Sequence, residues 1–153
     1  FKKKLDNEEF AEYAKVHGNY YGTLKSELES ARDGKDIILD IEWQGARNIA
    51  GQFHRDKVLK IFILPPSMKE LEKRLKNRGT DSDETIKKRL KDAKEQISHY
   101  NEYDFIIIND SLESVFEQVK SIIITKKLQR APQNILDDFV KNINLEFEEI
   151  NRR

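Results

Sequence analysis

An apolar run that ends in an acid, Ile37-Ile38-Leu39-Asp40, is the first place in this 153-residue chain where residue types and spacing suggest chemistry. If the run is a strand of a parallel sheet, Asp40 stands at the carboxyl edge, where open α/β sheets bind ligands. A carboxylate there can help hold magnesium beside a phosphate. The plainer alternative is a loop-capping Asp. In Gly18-Asn19-Tyr20-Tyr21-Gly22-Thr23, two glycines bracket paired phenols, and a hydroxyl follows where a helix could begin. Those groups could hold a phosphate or a base, or Thr23 could serve only as a helix cap. Arg74 and Arg78 are four residues apart, hence on one helical face, and Arg89 lies on the next helical pattern. Guanidiniums converging from a helical hairpin could neutralise a transferring phosphoryl group. The same residues could also form a solvated face with Glu70, Glu72 and Asp92.

The elements that must position these residues alternate between strands and helices. Asp36-Ile37-Ile38-Leu39-Asp40-Ile41, Val58-Leu59-Lys60-Ile61-Phe62-Ile63-Leu64 and Asp104-Phe105-Ile106-Ile107-Ile108 read as buried strands of a parallel sheet covered on both faces. Leu24, Leu28 and Ala31 recur at helical spacing, with Gly34 as the stop. Leu71 and Leu75, then Ile86, Leu90, Ala93 and Ile97, form apolar stripes on two lysine- and arginine-rich helices. Ser67-Met68-Lys69-Glu70 is a capping box for the first, Asn77-Arg78-Gly79-Thr80 stops it, and Ser82 opens the second. Val115, Phe116, Val119, Ile122 and Ile123 mark a further helix. In the tail, Ile135, Leu136, Phe139, Val140 and Ile143 predict a docking helix that frays past Asn144. The class is α/β.

Composition narrows the functions. Lys+Arg and Asp+Glu are both 28, so bulk charge gives no reason to bind a nucleic acid polymer or an anionic membrane. With no cysteine, disulfide scaffolds, thiol catalysis and cysteine-ligated zinc are excluded. His17, His54 and His99 are too scattered for an imidazole metal site, and no apolar run is long enough to span a bilayer. A cytoplasmic protein is expected. No G-x-x-x-x-G-K-[ST] occurs: the one Gly-Lys pair is Gly34-Lys35, and position 29 is Glu.

Taken together, several segments resemble the guanylate kinase family. They are Glu12-Tyr13-Ala14 with Gly18-Asn19-Tyr20-Tyr21-Gly22-Thr23, then Leu39-Asp40-Ile41-Glu42-Trp43-Gln44-Gly45-Ala46, then Ile61-Phe62-Ile63-Leu64-Pro65-Pro66-Ser67. Leu75-Lys76-Asn77-Arg78-Gly79-Thr80, Lys88-Arg89-Leu90 and Tyr103-Asp104-Phe105-Ile106-Ile107-Ile108-Asn109-Asp110 follow in order. The resemblance implies a P-loop nucleoside monophosphate kinase fold, with a parallel sheet flanked by helices and a helical lid. It implies transfer of the γ-phosphoryl of ATP to GMP with Mg²⁺. By the same resemblance, Glu12 reads the guanine edge, Tyr21 holds the GMP phosphate and Thr23 contacts the base. Glu42 assists at the guanine, although the family often has Asp at that position. Arg74, Arg78 and Arg89 are the lid arginines, with Arg74 also toward ATP. Asp40 sits near the metal, and Asn109 lies beside the adenine.

The implied organisation is a GMP-binding subdomain remnant (1–24), core (25–70), lid (71–95), core (96–131) and a C-terminal helix and tail (132–153). The family's opening strand, Gly-rich loop and lysine are not among these residues. The chain is therefore expected to be the C-terminal portion of a longer enzyme, inactive and poorly folded as these residues alone. The expected partners are GMP and ATP; a homo-oligomer stays open. The rival is a non-catalytic guanylate-kinase-like module that binds phosphopeptides. Asp40 and the three arginines favour the enzyme, because a binding module needs no charge clamp on a transferred group.

Overall fold

The computed structural model describes residues 1–16, 18–29, 31, 35–129 and 133–151, the side chains of 133–135 excepted. It divides into two units, Phe1–Asp110 and Ser111–Arg153. In the first, helix α1 (Lys2–Asp6) leads into an antiparallel hairpin of β1 (Phe10–Val16) and β2 (Asn19–Leu24). The register skips Ala11, so β1 carries a bulge there. The bulge reverses the alternation: Phe10 shares a face with Tyr13, and Glu12 faces the other way. A short helix, α2 (Lys25–Leu28), follows directly. Thr23 was a candidate helix cap; instead it lies within β2, and Leu24 holds the N-cap position. Gly34, the expected helix stop, lies outside the described residues.

Residues 35–41 form no strand, and Ile38 is 82% exposed, against the expectation of a buried strand ending at Asp40. A strand exists only where a neighbour completes its ladder. Among the described residues the parallel sheet has two strands, β3 (Ile61–Leu64) and β4 (Phe105–Ile108), paired with each other from Ile61↔Phe105 to Leu64↔Ile108. Within β3 and β4, Ile107 is buried, whereas Ile63, Ile106 and Ile108 are exposed.

Helix α3 (Trp43–Gln52) packs on β1 and is tied to it at its last residue. Gln52 Nε2 donates to the carbonyl of Ala11 at 2.6 Å, occupying the bulged residue's acceptor. Between β3 and β4 run α4 (Met68–Asn77) and α5 (Asp83–Ser98), the two helices predicted by their stripes. Their buried apolar residues are Leu75 and Ile86. Ser67 Oγ accepts from the Glu70 N–H at 3.1 Å, one half of the expected capping box. The Glu70 carboxylate turns the other way, to Arg74. Gly79, at φ +66°, ends α4 in the left-handed region that only glycine enters freely.

In the second unit, α6 (Leu112–Gln129) and α7 (Gln133–Asn151) are helical as predicted. Of the residues read as a docking face, Leu136, Phe139, Val140 and Ile143 are exposed, and the side chain of Ile135 lies outside those described. The helix also continues to Asn151, where fraying was expected past Asn144.

Candidate functional site

The β1–β2 hairpin separates two chemistries by face. Cross-strand partners share a face, and Glu12 lies opposite Thr23 while Ala14 lies opposite Tyr21. Glu12, Thr23 and Tyr21, all assigned to GMP by resemblance, are thus brought together on one side. Glu12 is 5% exposed and Thr23 is 7% exposed, whereas Tyr21 is open to solvent. A carboxylate so enclosed needs donors. Thr23 supplies two, its backbone N–H at 3.0 Å and its hydroxyl at 2.7 Å, both to Glu12 Oε1. The opposite face is aromatic: Phe1 stacks on Phe10 at 4.4 Å, with Tyr20 5.4 Å from Phe1.

Glu42 occupies the N-cap position of α3, directly after the extended segment carrying exposed Asp40. The Tyr103 phenol is pushed up, first by burial, then by the charges of Glu102 and Glu42. Asn109 stands at the carboxyl end of β4, half-buried, and its backbone N–H donates to the Leu64 carbonyl at 2.7 Å. The adenine candidate is thus at the sheet edge where α/β ligands bind.

Two of the three arginines expected in a lid are held by acids of their own hairpin. Arg74 Nε bonds Glu70 Oε1 at 3.0 Å. Arg89 Nη2 lies 3.3 Å from Asp81 Oδ1, and the Asp81 side chain is only 11% exposed. Among the described residues, Asp81 Oδ2 and Arg89 Nε are buried without a hydrogen-bond partner. Arg78 caps the C-terminus of α4 and is exposed.

A further cluster escaped sequence reasoning. Trp43 stacks on His99 at 3.7 Å, and the Arg47 guanidinium lies 4.6 Å from the Trp43 ring. Glu102 meets both side chains: Arg47 donates at 2.6 and 3.1 Å, and His99 Nδ1 is at 2.7 Å. Arg47 first, then His99, holds the Glu102 carboxyl down at about 2. The cluster ties the head of α3 to the end of α5, whose C-cap is His99. Arg47 and Glu102 are 55 residues apart, and no local pattern links them; the single Trp was the one available signal.

The guanylate kinase family model matches residues 1–126. The chain is 44% identical over 144 residues to guanylate kinase of Maricaulis maris (strain MCS10), covering 94% of this chain and 66% of that one. It is 49% identical over 134 residues to guanylate kinase of Vibrio vulnificus (strain YJ016), covering 87% and 64%. It also resembles the crystal structure of guanylate kinase from Anaplasma phagocytophilum, with TM-score 0.69 and 35% identity over 82% of this chain and 60% of that one. The chain spans about two thirds of the length of the curated relatives it matches.

Proposed function

The chain belongs to the guanylate kinase family, and from that premise we propose that the whole protein transfers the γ-phosphoryl of ATP to GMP, giving ADP and GDP. The observation that carries this reading is the buried, doubly anchored carboxylate of Glu12, with Tyr21 on the same hairpin face. Guanine presents N1–H and an exocyclic amine side by side, a donor pair suited to a carboxylate. Adenine places a lone pair at N1, which a carboxylate repels. Tyr21, exposed on that face, donates to the GMP phosphate, and Thr23 orients Glu12 and contacts the base. Glu42 adds a second acceptor at the guanine.

A phosphate oxygen of GMP attacks the γ-phosphorus of ATP, and the bond to the ADP oxygen breaks. Charge shifts across the transferred group, and Arg74, Arg78 and Arg89 stabilise it from the α4–α5 lid. Asn109 holds the adenine at the sheet edge. Mg²⁺ is commonly held by one or two carboxylates plus substrate phosphates and waters, which fits the solvent-facing carboxylate of Asp40. There the ion would neutralise phosphate charge. We read the setting as cytoplasmic, from the nucleotide substrates.

The test is Glu12→Gln in the full-length protein. Charge-assisted bonds contribute about 1.5–3 kcal/mol each. GMP use is expected to fall sharply and discrimination against AMP to weaken. GMP kinetics equal to those of the unmodified enzyme would remove Glu12 from the site.

A further inference from the structure

Gly45, the third residue of α3, is buried, and its φ lies outside the left-handed region. A glycine weakens a helix interior, so its presence here calls for a reason other than backbone freedom. The reason is a close approach. A Cβ at Gly45 would lie 2.5 Å from Glu12 Oε2 and 3.1 Å from the Glu12 carboxyl carbon. Both are inside van der Waals contact. The other described glycine of α3, Gly51, would meet nothing within 4 Å.

We propose that Gly45 is a positioning residue for guanine selection, acting through Glu12: its bare Cα lets the first turn of α3 close on the carboxylate and fix its plane. This rests on the reading of Glu12 given above. One oxygen, Oε1, is pinned by the Thr23 N–H and hydroxyl. The other, Oε2, abuts Gly45. The carboxylate is therefore clamped between β2 and α3, and a pair of parallel hydrogen bonds to a planar base edge requires that fixed plane. The far end of α3 is held to β1 by the bond from Gln52 to Ala11. A methyl group at position 45 leaves two escapes. Either Glu12 swings away and gives up Thr23, or the head of α3 lifts and takes Glu42, three residues earlier, with it. Each escape misplaces an acceptor for guanine, whereas Arg74 and Asn109, read as the residues toward ATP, lie on other elements.

The experiment compares Gly45→Ala with Gly51→Ala in the full-length enzyme, measuring steady-state kinetics with GMP, IMP and ATP. IMP lacks the exocyclic amine and so reports the second bond of the pair. Gly45→Ala is expected to raise the GMP KM at least tenfold and reduce the preference for GMP over IMP. The ATP KM and the kcat at saturating GMP should stay within about threefold. Gly51→Ala is expected to leave all of these unchanged. In the Glu12→Asp background, whose shorter side chain withdraws from position 45, adding Gly45→Ala should cost less than threefold in GMP KM. Rescue of solubility by Glu12→Asp, should Gly45→Ala alone fail to fold, supports the clamp. A lowered Tm with an intact GMP-over-IMP preference overturns it, as does failure to fold in both backgrounds. If Glu12→Gln impairs GMP use while Gly45→Ala behaves as Gly51→Ala does, this inference fails alone. If Glu12→Gln has no effect, the reading of the site fails with it.

Discussion

Thr23 donates both its backbone N–H and its hydroxyl to a single oxygen of Glu12, at 3.0 and 2.7 Å, across the β1–β2 hairpin. One residue thereby satisfies a buried carboxylate and leaves its second oxygen to other use. Thr23→Val keeps the side-chain shape and removes the hydroxyl. A lost hydrogen bond to a charged group costs about 1.5–3 kcal/mol. Denaturant unfolding is expected to show a loss of that order, with the GMP KM raised in the same variant. A stability change below about 0.5 kcal/mol would mean the hydroxyl bond is replaced by solvent.

Arg89 is assigned two jobs, and they are separable. It is the counter-ion of Asp81, whose side chain is nearly enclosed, and it is a proposed clamp on the transferred phosphoryl group. Arg89→Ala is expected to lower the Tm, because Asp81 loses its cation, and to lower kcat by roughly 10³ with GMP KM nearly intact. Arg89→Lys should restore part of the Tm but little of the rate, since an ammonium lacks the planar fork. A wild-type kcat in Arg89→Ala would leave Arg89 as the partner of Asp81 and nothing more.

Glu102 should govern part of the acid stability. Its carboxyl is held at about 2, against a usual value of 4.5, by Arg47 and then His99. A carboxyl depressed in the folded state stabilises fully above its unfolded value. That contribution is lost as pH falls from about 4.5 toward 2. Thermal melts of wild type and Glu102→Gln are therefore expected to differ most at neutral pH and to converge across this window. A constant gap from pH 6 down to pH 2.5 would detach Glu102 from the acid transition.

Gly22 faces a different neighbour set from Gly45. A Cβ there would lie 2.8 Å from the Glu12 carbonyl oxygen and 2.9 Å from Tyr13 Cβ. Backbone cannot yield as a side chain can, so Gly22→Ala should destabilise the hairpin by about 1–3 kcal/mol, as overpacking does. Equilibrium unfolding measures it, with Gly51→Ala as the unstrained control. A midpoint unchanged from wild type would show that the hairpin opens at no cost.

The helices were legible because their signals are local. The Leu71 and Leu75 stripe, Ser67 and Ser82 as caps, and Gly79 as a stop each act within a few residues, and the structure has α4 and α5 where these place them. The candidate residues Glu12, Tyr21 and Thr23 were legible through their motif, which names residue types but says nothing of which face each one takes.

The sequence by itself determined the family, the α/β class and the identities of the candidate groups, because motif order and hydrophobic period are properties of the chain read locally. Tertiary structure alone decided three things. The bulge at Ala11 put Phe10 and Glu12 on opposite faces, although strict alternation would have joined them. Glu102 and its near neighbour His99 met Arg47 and Trp43 from more than fifty residues away. Residues 36–41, apolar enough to be a strand, do not form one, because a strand is fixed by the neighbour that completes its ladder and not by its own composition.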